Sequence, residues 1–222
     1  MENVVSTGPD ARARPRLSAV FSATSLTAGL FFASGFAALN YQIAWQRSLF
    51  GWYGVDLDSV SAIVSIFMLG LGAGALIGGW LADRFPHHRI LTFSIVELLI
   101  SLFGFVSLDV IDGLGALLAA QSLPVIVAAT FAIFLIPTCA MGATLPVLVT
   151  ELSARIGNVG ESTGELYFIN TLGAATGCIA AAYVILPYAG LDGVVLFAAL
   201  INLAISIVAA LAFKYRIVRT AP

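Results

Sequence analysis

Long apolar stretches alternate with short polar segments along this chain. A helix needs about 20 mostly apolar residues to cross the hydrocarbon core of a membrane. The pattern predicts six transmembrane helices, at residues 19–44, 59–82, 90–108, 124–149, 165–186 and 194–213. The remaining segments predict a disordered cytoplasmic tail at residues 1–17 and a basic cytoplasmic tail at residues 214–222, on either side of a membrane domain at residues 18–213.

Three of the connecting segments have a character of their own. Residues 45–58 are rich in aromatic side chains, which is typical of a membrane–water interface. Residues 109–123 contain two aspartates and two glycines, and we expect a surface or interfacial helix there. Residues 151–164 are polar and predict a loop.

Composition supports a membrane protein and narrows its partners. Hydrophobic residues make up 60% of the chain and charged residues 10%, and the mean hydropathy is +1.01. A soluble domain usually has about a quarter charged residues. No basic run with interleaved aromatic residues indicates nucleic-acid binding. Membrane lipids are therefore the first expected partner.

The distribution of basic residues predicts the orientation of the chain. Cytoplasmic segments of membrane proteins carry an excess of lysine and arginine. With six spans and both termini in the cytoplasm, nine basic residues lie inside and only Arg47 lies outside. Five or seven spans would put the basic C-terminal tail outside, so six spans fit best.

Small residues recur every four positions in the second and fifth spans. Gly70, Gly74 and Gly78 form one stripe, and Gly173, Gly177 and Ala181 form another. Such stripes let two helices approach closely in a membrane. They lie at equivalent positions of two three-span halves, which predicts an all-α bundle with a 3+3 inverted repeat, like half of a major facilitator transporter. Packing needs alone can also produce two such stripes, and the partner helix can belong to the same chain or to a second copy.

Glu97 is the most unusual polar residue, because it lies well inside the third span. A charged carboxylate there costs at least about 2.5 kcal/mol. Glu97 is either a proton or cation site, or a buried carboxyl group that holds helices together. Asn170 is expected at a similar depth and is a candidate partner for it. The other candidate intramembrane polar residues are Thr144, Thr171 and Asn202.

The outer end of the first span combines Tyr41, Gln42, Trp45 and Arg47. These residues predict either a site for an anionic or amphipathic ligand or, as the simpler alternative, anchoring at the interface. Asp83 and Arg84 mark the cytoplasmic turn after the second span. The sequence indicates no catalytic constellation, no metal site and no cofactor.

Several stretches together resemble one family. Residues 34–47, 67–74, 79–84, 141–146 and 164–173 are similar to the membrane portion of bacterial proteins that fuse a multispanning, major-facilitator-like domain to a spermidine-synthase-like domain. The Met-Gly-Ala-Thr-Leu-Pro string at residues 141–146 is the most specific of these. The family typically has Tyr-Glu where this chain has Tyr41-Gln42, which removes a carboxylate.

The resemblance implies a multi-pass protein of the bacterial inner membrane. The family continues into a soluble aminopropyltransferase-like domain, whereas this sequence ends at Pro222, so such chemistry would come from another polypeptide. We therefore expect a non-catalytic membrane module that anchors a synthase-like partner or moves its polyamine-like or amphipathic substrate or product. One alternative is a stand-alone small-solute or lipid transporter that works as a homodimer. The other is the membrane part of an aminopropyltransferase whose catalytic domain is elsewhere.

Overall fold

The computed structural model describes residues 17–54 and 57–215, which are almost entirely helical and contain no strand. The helices are α1 (Leu17–Tyr53), α2 (Leu57–Arg84), α3 (Arg89–Leu118), α4 (Leu123–Ile156), α5 (Val159–Ala180) and α6 (Leu186–Lys214). A 3-10 turn, Pro86–His88, joins α2 to α3, and a π-helical turn, Ala181–Ile185, joins α5 to α6. The predicted all-α class is confirmed. The two predicted tails lie outside the described residues, apart from Leu17, Lys214 and Tyr215.

Four segments of the described chain are long and apolar enough to cross a membrane. They are Val60–Arg84, Pro86–Leu118, Pro124–Ile156 and Val159–Lys214. The last has 56 residues and contains both α5 and α6. Its helical conformation breaks at Gly190, where φ is 67° and ψ is −168°, a conformation that only glycine adopts readily. Large apolar side chains are widely exposed on the bundle, as on a surface that faces lipid; Leu76, for example, is 79% exposed.

The helices pack in three main pairs. α2 packs against α4, α1 packs against α5, and α3 packs against α6. Two further contacts, α1 with α6 and α3 with α4, join these pairs into one bundle.

The glycine stripe of α2 lies directly against α4. A Cβ atom at Gly74 or Gly78 would come closer than 3.0 Å to the backbone of Cys139 or Ala143, respectively, so a side chain there would force the helices apart. Gly142 on α4 meets the backbone of α2 in the same way. Gly70 faces the Thr138 side chain. The glycine stripe of α2 therefore packs against a helix of the same chain.

The stripe of α5 has the same relation to α1. A Cβ atom at Gly173 or Gly177 would collide with the backbone of Phe32 or Phe36. Gly35 on α1 in turn approaches the backbone of Asn170 on α5. The α2–α4 and α1–α5 contacts are called the glycine seams below. In both, glycines on the two helices allow the backbones to approach closely.

Aromatic side chains fill the core near the end of α1. Tyr41 and Trp45 are fully buried and stack with ring centroids 4.9 Å apart. Phe103 and Phe134 pack edge-on against Trp45, and Trp45 Nε1 donates a hydrogen bond of 2.8 Å to Ser107 Oγ. Tyr41 and Trp45 are therefore core residues, which differs from the interfacial anchoring given above as the simpler alternative for the outer end of the first span.

Several helices extend further into the connecting segments than the sequence pattern indicated, and α1 continues to Tyr53 through most of the predicted interfacial segment, residues 45–58. The segment expected to form a separate interfacial helix, residues 109–123, is mostly the last part of α3, because Ile111 and Leu114 on it are buried in the bundle. The segment expected to be a loop, residues 151–164, is mostly helix as well. Only Gly157 and Asn158 separate α4 from α5.

Both residues of this short connection have clear roles. Gly157 ends α4 with φ 78°, a left-handed conformation that suits glycine. The Asn158 side chain then caps α5 by accepting a hydrogen bond of 3.2 Å from the Glu161 backbone N–H.

Candidate functional site

A cavity of about 130 Å³ lies between the helices. This volume is enough for several water molecules or one small polar group. Five of its lining side chains are polar and come from four helices: Ser34 and Gln42 on α1, Thr144 on α4, Asn170 on α5 and Asn202 on α6. The apolar part of the wall is made by Ala38, Leu39, Phe67, Leu71, Ile100 and Met141.

Glu97 does not line this cavity, but it contacts Ser34, which does. Its side chain is fully buried, and Ser34 Oγ donates a hydrogen bond of 2.6 Å to its Oε1 atom. Because Ser34 also lines the cavity, a single hydroxyl group connects the carboxyl group to the cavity wall. The other carboxyl oxygen, Oε2, has no hydrogen-bond partner among the described residues.

The partner of Glu97 differs from the one expected. Asn170 Nδ2 donates instead to the backbone oxygen of Phe31, at 3.1 Å. Asn170 thus holds α5 against α1 and lines the cavity, while the contact with Glu97 is made by Ser34, which is only 6% exposed.

The two hydroxyl groups that line the cavity donate hydrogen bonds within the protein. The Ser34 hydroxyl donates to Glu97, and the Thr144 hydroxyl donates to the backbone oxygen of Met141 at 2.7 Å. Asn202 is 2% exposed, and its Oδ1 atom has no partner among the described residues. A buried acceptor without a donor costs about 1–3 kcal/mol. The cavity wall therefore offers the lone pairs of two hydroxyl groups together with the amide groups of Gln42, Asn170 and Asn202.

The predicted residues are brought together only in part. The cavity is lined by four of them, Gln42, Thr144, Asn170 and Asn202, but Thr171 is exposed on the outer face of α5.

The residues predicted at the outer end of the first span lie in different places in the structure. Gln42 lines the cavity, Tyr41 and Trp45 are buried in the aromatic core, and Arg47 is exposed. Asp83 and Arg84 are exposed at the end of α2.

A second buried carboxylate, Glu151, lies on α4 and is 1% exposed. It forms an ion pair with Arg155, one turn further along the same helix. Arg89, at the start of α3, donates from Nε to the backbone oxygen of Ala82 on α2, at 3.1 Å. These three charged residues thus interact either within one helix or with the end of a neighbouring helix.

Buried serines join α3 to α6 beside the cavity. Ser94 and Ser206 each donate to the other's backbone oxygen at 2.8 Å, and Ser101 donates to the backbone oxygen of Ala199 at 2.8 Å. These bonds hold Glu97 on α3 and Asn202 on α6 in fixed positions relative to each other.

Sequence reasoning did not single out Ser34 or Glu151 as candidate site residues. A signal for Glu151 exists, because Glu and Arg four residues apart form a favourable pair on a helix. For Ser34 no strong signal exists, since serine is common in membrane helices. Among the described residues, no group of three His, Cys, Asp or Glu side chains is placed to hold a metal ion.

Comparisons of the chain with protein-family models, curated proteins and solved structures found no match. The chemistry of the site is therefore inferred from its own residues.

Proposed function

We propose that this chain is a non-catalytic, six-span membrane module that binds a small polar group of a solute in the central cavity and carries the solute through the bilayer. The observation that carries the proposal is the cavity itself. Four helices contribute polar side chains to it, and buried hydrogen-bonding groups inside a membrane are costly unless they serve packing or binding. Asn202 lines the cavity and makes no hydrogen bond to another described residue, which favours binding over packing.

The helix pairing supports an inverted repeat. If α1, α2 and α3 are exchanged with α4, α5 and α6, the α2–α4 contact becomes the α5–α1 contact, and the α3–α4 contact becomes the α6–α1 contact. The α3–α6 contact maps onto itself. The glycine seams follow the same exchange. A binding site between two such repeats is the arrangement used by many transporters.

Six crossings are supported by the lengths of the helices. The 56-residue segment from Val159 to Lys214 would extend about 84 Å as one straight helix at 1.5 Å per residue, far more than the roughly 30 Å of the hydrocarbon core. The break at Gly190 divides it. α1 has 37 residues, or about 55 Å, which is also more than one crossing needs. We assign the N- and C-termini to the cytoplasm of a bacterial inner membrane from the charge bias described above.

The proposal is tested by transport in reconstituted liposomes. The purified chain is expected to take up radiolabelled spermidine, the solute class that the sequence resemblance implies. Asn202→Leu should reduce the initial rate at least tenfold, because it replaces an amide group of the cavity wall with an apolar side chain. The matched control is Thr171→Val on the exposed face of α5, which should leave the rate unchanged.

Two results would contradict the proposal. Uptake equal to that of empty liposomes, from protein shown to be folded, would argue against transport. Equal uptake by the Asn202→Leu variant would argue against the cavity as the site. If a soluble synthase-like subunit copurifies with a chain that is inactive alone, anchoring of that partner becomes the better assignment.

A further inference from the structure

The charge environment of Glu97 points to the kind of group that the cavity accepts. Among the described residues, no cation forms an ion pair with this carboxyl group, and its one hydrogen bond comes from the neutral Ser34. On α3 itself, Arg89 lies eight residues away, about 12 Å along the helix, and donates to Ala82.

The neighbouring helices do not supply a cation either. From α1, the Tyr41 phenol lies near enough to interact electrostatically with Glu97, and Arg47 is exposed. The charged groups of α2, Asp83 and Arg84, are exposed at the end of that helix. The ionic groups of α4 and α6 lie seven to twelve residues, or roughly 10–18 Å, along the helix from the cavity-lining Thr144 and Asn202. They are Glu151, Arg155, Asp192 and Lys214.

A fully buried carboxylate without a cation costs several kcal/mol. Glu97 is therefore stable in two ways, with its own proton or with a cation beside it. An alkylammonium group carries three N–H donors, for which the hydroxyl and amide oxygens of the cavity wall are acceptors. Ser34 and Thr144 have already used their hydroxyl donors, so their lone pairs are left for these N–H groups.

We propose that the cavity binds a single alkylammonium group in exchange for the proton of Glu97. This inference rests on the proposed function and names the ligand class and the coupling at the same site. As the ammonium group enters, the Glu97 O–H bond breaks and the proton leaves to solvent. The buried site then contains one carboxylate and one cation and stays neutral overall. No redox change or further reactant is involved.

Ser34 links the two states. When Glu97 is ionised, the Ser34 hydroxyl donates to Oε1, as in this structure, and its lone pairs face the ammonium donors. When Glu97 carries the proton, its O–H group donates to Ser34 Oγ, and the Ser34 hydroxyl hydrogen turns towards the cavity. The O–H group of Ser34 then faces the N–H groups of the ammonium. Because neither side offers an acceptor, release of the ammonium group is favoured. Ser34 is a positioning residue in this exchange.

The exchange is measured as proton release. The full chain in nanodiscs of neutral lipid is titrated with ethylammonium chloride in weakly buffered solution that contains a pH indicator, and protein-free nanodiscs serve as the blank. We expect about one proton per bound cation where Glu97 starts protonated. In the same pH range, the apparent affinity should rise about tenfold per pH unit. Glu97→Gln should release no proton and lose the pH dependence, whereas the matched variant Glu151→Gln should keep both.

Three outcomes would overturn the inference or the function beneath it. Binding of ethanol and ethylammonium with equal affinity and no proton release would refute the exchange and leave a polar binding site intact. Binding of neither probe, and no uptake of spermidine, would refute both proposals. Retention of the pH dependence by Glu97→Gln would assign the proton to another group. If that variant does not fold, the number of protons that the wild type releases per bound cation decides. A value of about one supports the exchange, and a value of zero refutes it.

Discussion

Glu97 and Glu151 are both carboxylates within long helices, with 0% and 1% of the residue exposed, yet their surroundings differ in charge. Glu151 on α4 pairs with Arg155 on the same helix, so its charge is balanced locally. Glu97 on α3 receives one hydrogen bond from a hydroxyl group on another helix, α1. One oxygen of each carboxyl group lacks a partner among the described residues.

The difference shows which of the two sites is able to respond to a ligand. An ion pair between residues on one helix keeps its geometry when helices move past each other, because both members move together. A carboxyl group that depends on a neighbouring helix and has no counter-ion changes its charge state or its partner when the site is filled. Under the proposed exchange, Glu151 thus serves stability and Glu97 serves binding.

The largest expected effect comes from removing the counter-ion of Glu151. Arg155→Met should lower the free energy of unfolding by about 3 kcal/mol, because it removes the ion-pair partner of a buried carboxylate. The measurement is SDS-induced unfolding in mixed micelles. Arg155→Lys, which keeps the charge, is the control and should lose much less. An Arg155→Met variant as stable as the wild type would show that the pair carries little of the stability.

A smaller effect is expected at the hydrogen bond to Glu97. Ser34→Ala should cost about 1 kcal/mol in the same assay, the usual contribution of a buried hydrogen bond. In a Glu97→Leu background the same substitution should cost less, since the acceptor is gone. Equal costs in both backgrounds would show that Ser34 acts through contacts other than Glu97.

The smallest effect is expected for Glu97→Gln. Glutamine keeps an oxygen that accepts from Ser34 and has no charge to bury, so the free energy of unfolding should change by less than about 1 kcal/mol. Transport and proton release should nevertheless be lost. A large loss of stability would instead favour the role of a carboxyl group that holds helices together, which the sequence left open.

The sequence pattern predicted the all-α class and the membrane character, because hydropathy depends on composition and segment length alone. It also located the bare faces of α2 and α5, since a four-residue spacing defines a helix face. It did not identify α4 and α1 as their partners, which depends on how the whole chain folds back.

The site was predictable to a similar degree. Intramembrane position singled out Glu97, Thr144, Asn170 and Asn202, because polar groups are rare in such spans. The burial of Glu151 was not visible, since a Glu–Arg pair four residues apart has the same sequence on a solvated helix and on a packed one. The contact between Ser34 and Glu97 joins residues 63 positions apart, which no local pattern encodes.

The glycine seam between α2 and α4 also limits how the length of this chain can vary. A single residue inserted between Gly74 and Gly78 would rotate the rest of α2 by about 100° relative to α4. Gly78 would leave the contact with Ala143, and a bulkier side chain would take its place. Substitutions on the lipid-facing side of α2 leave this register intact. Insertions and deletions are therefore expected to accumulate at the helix connections and to be excluded from residues 70–78.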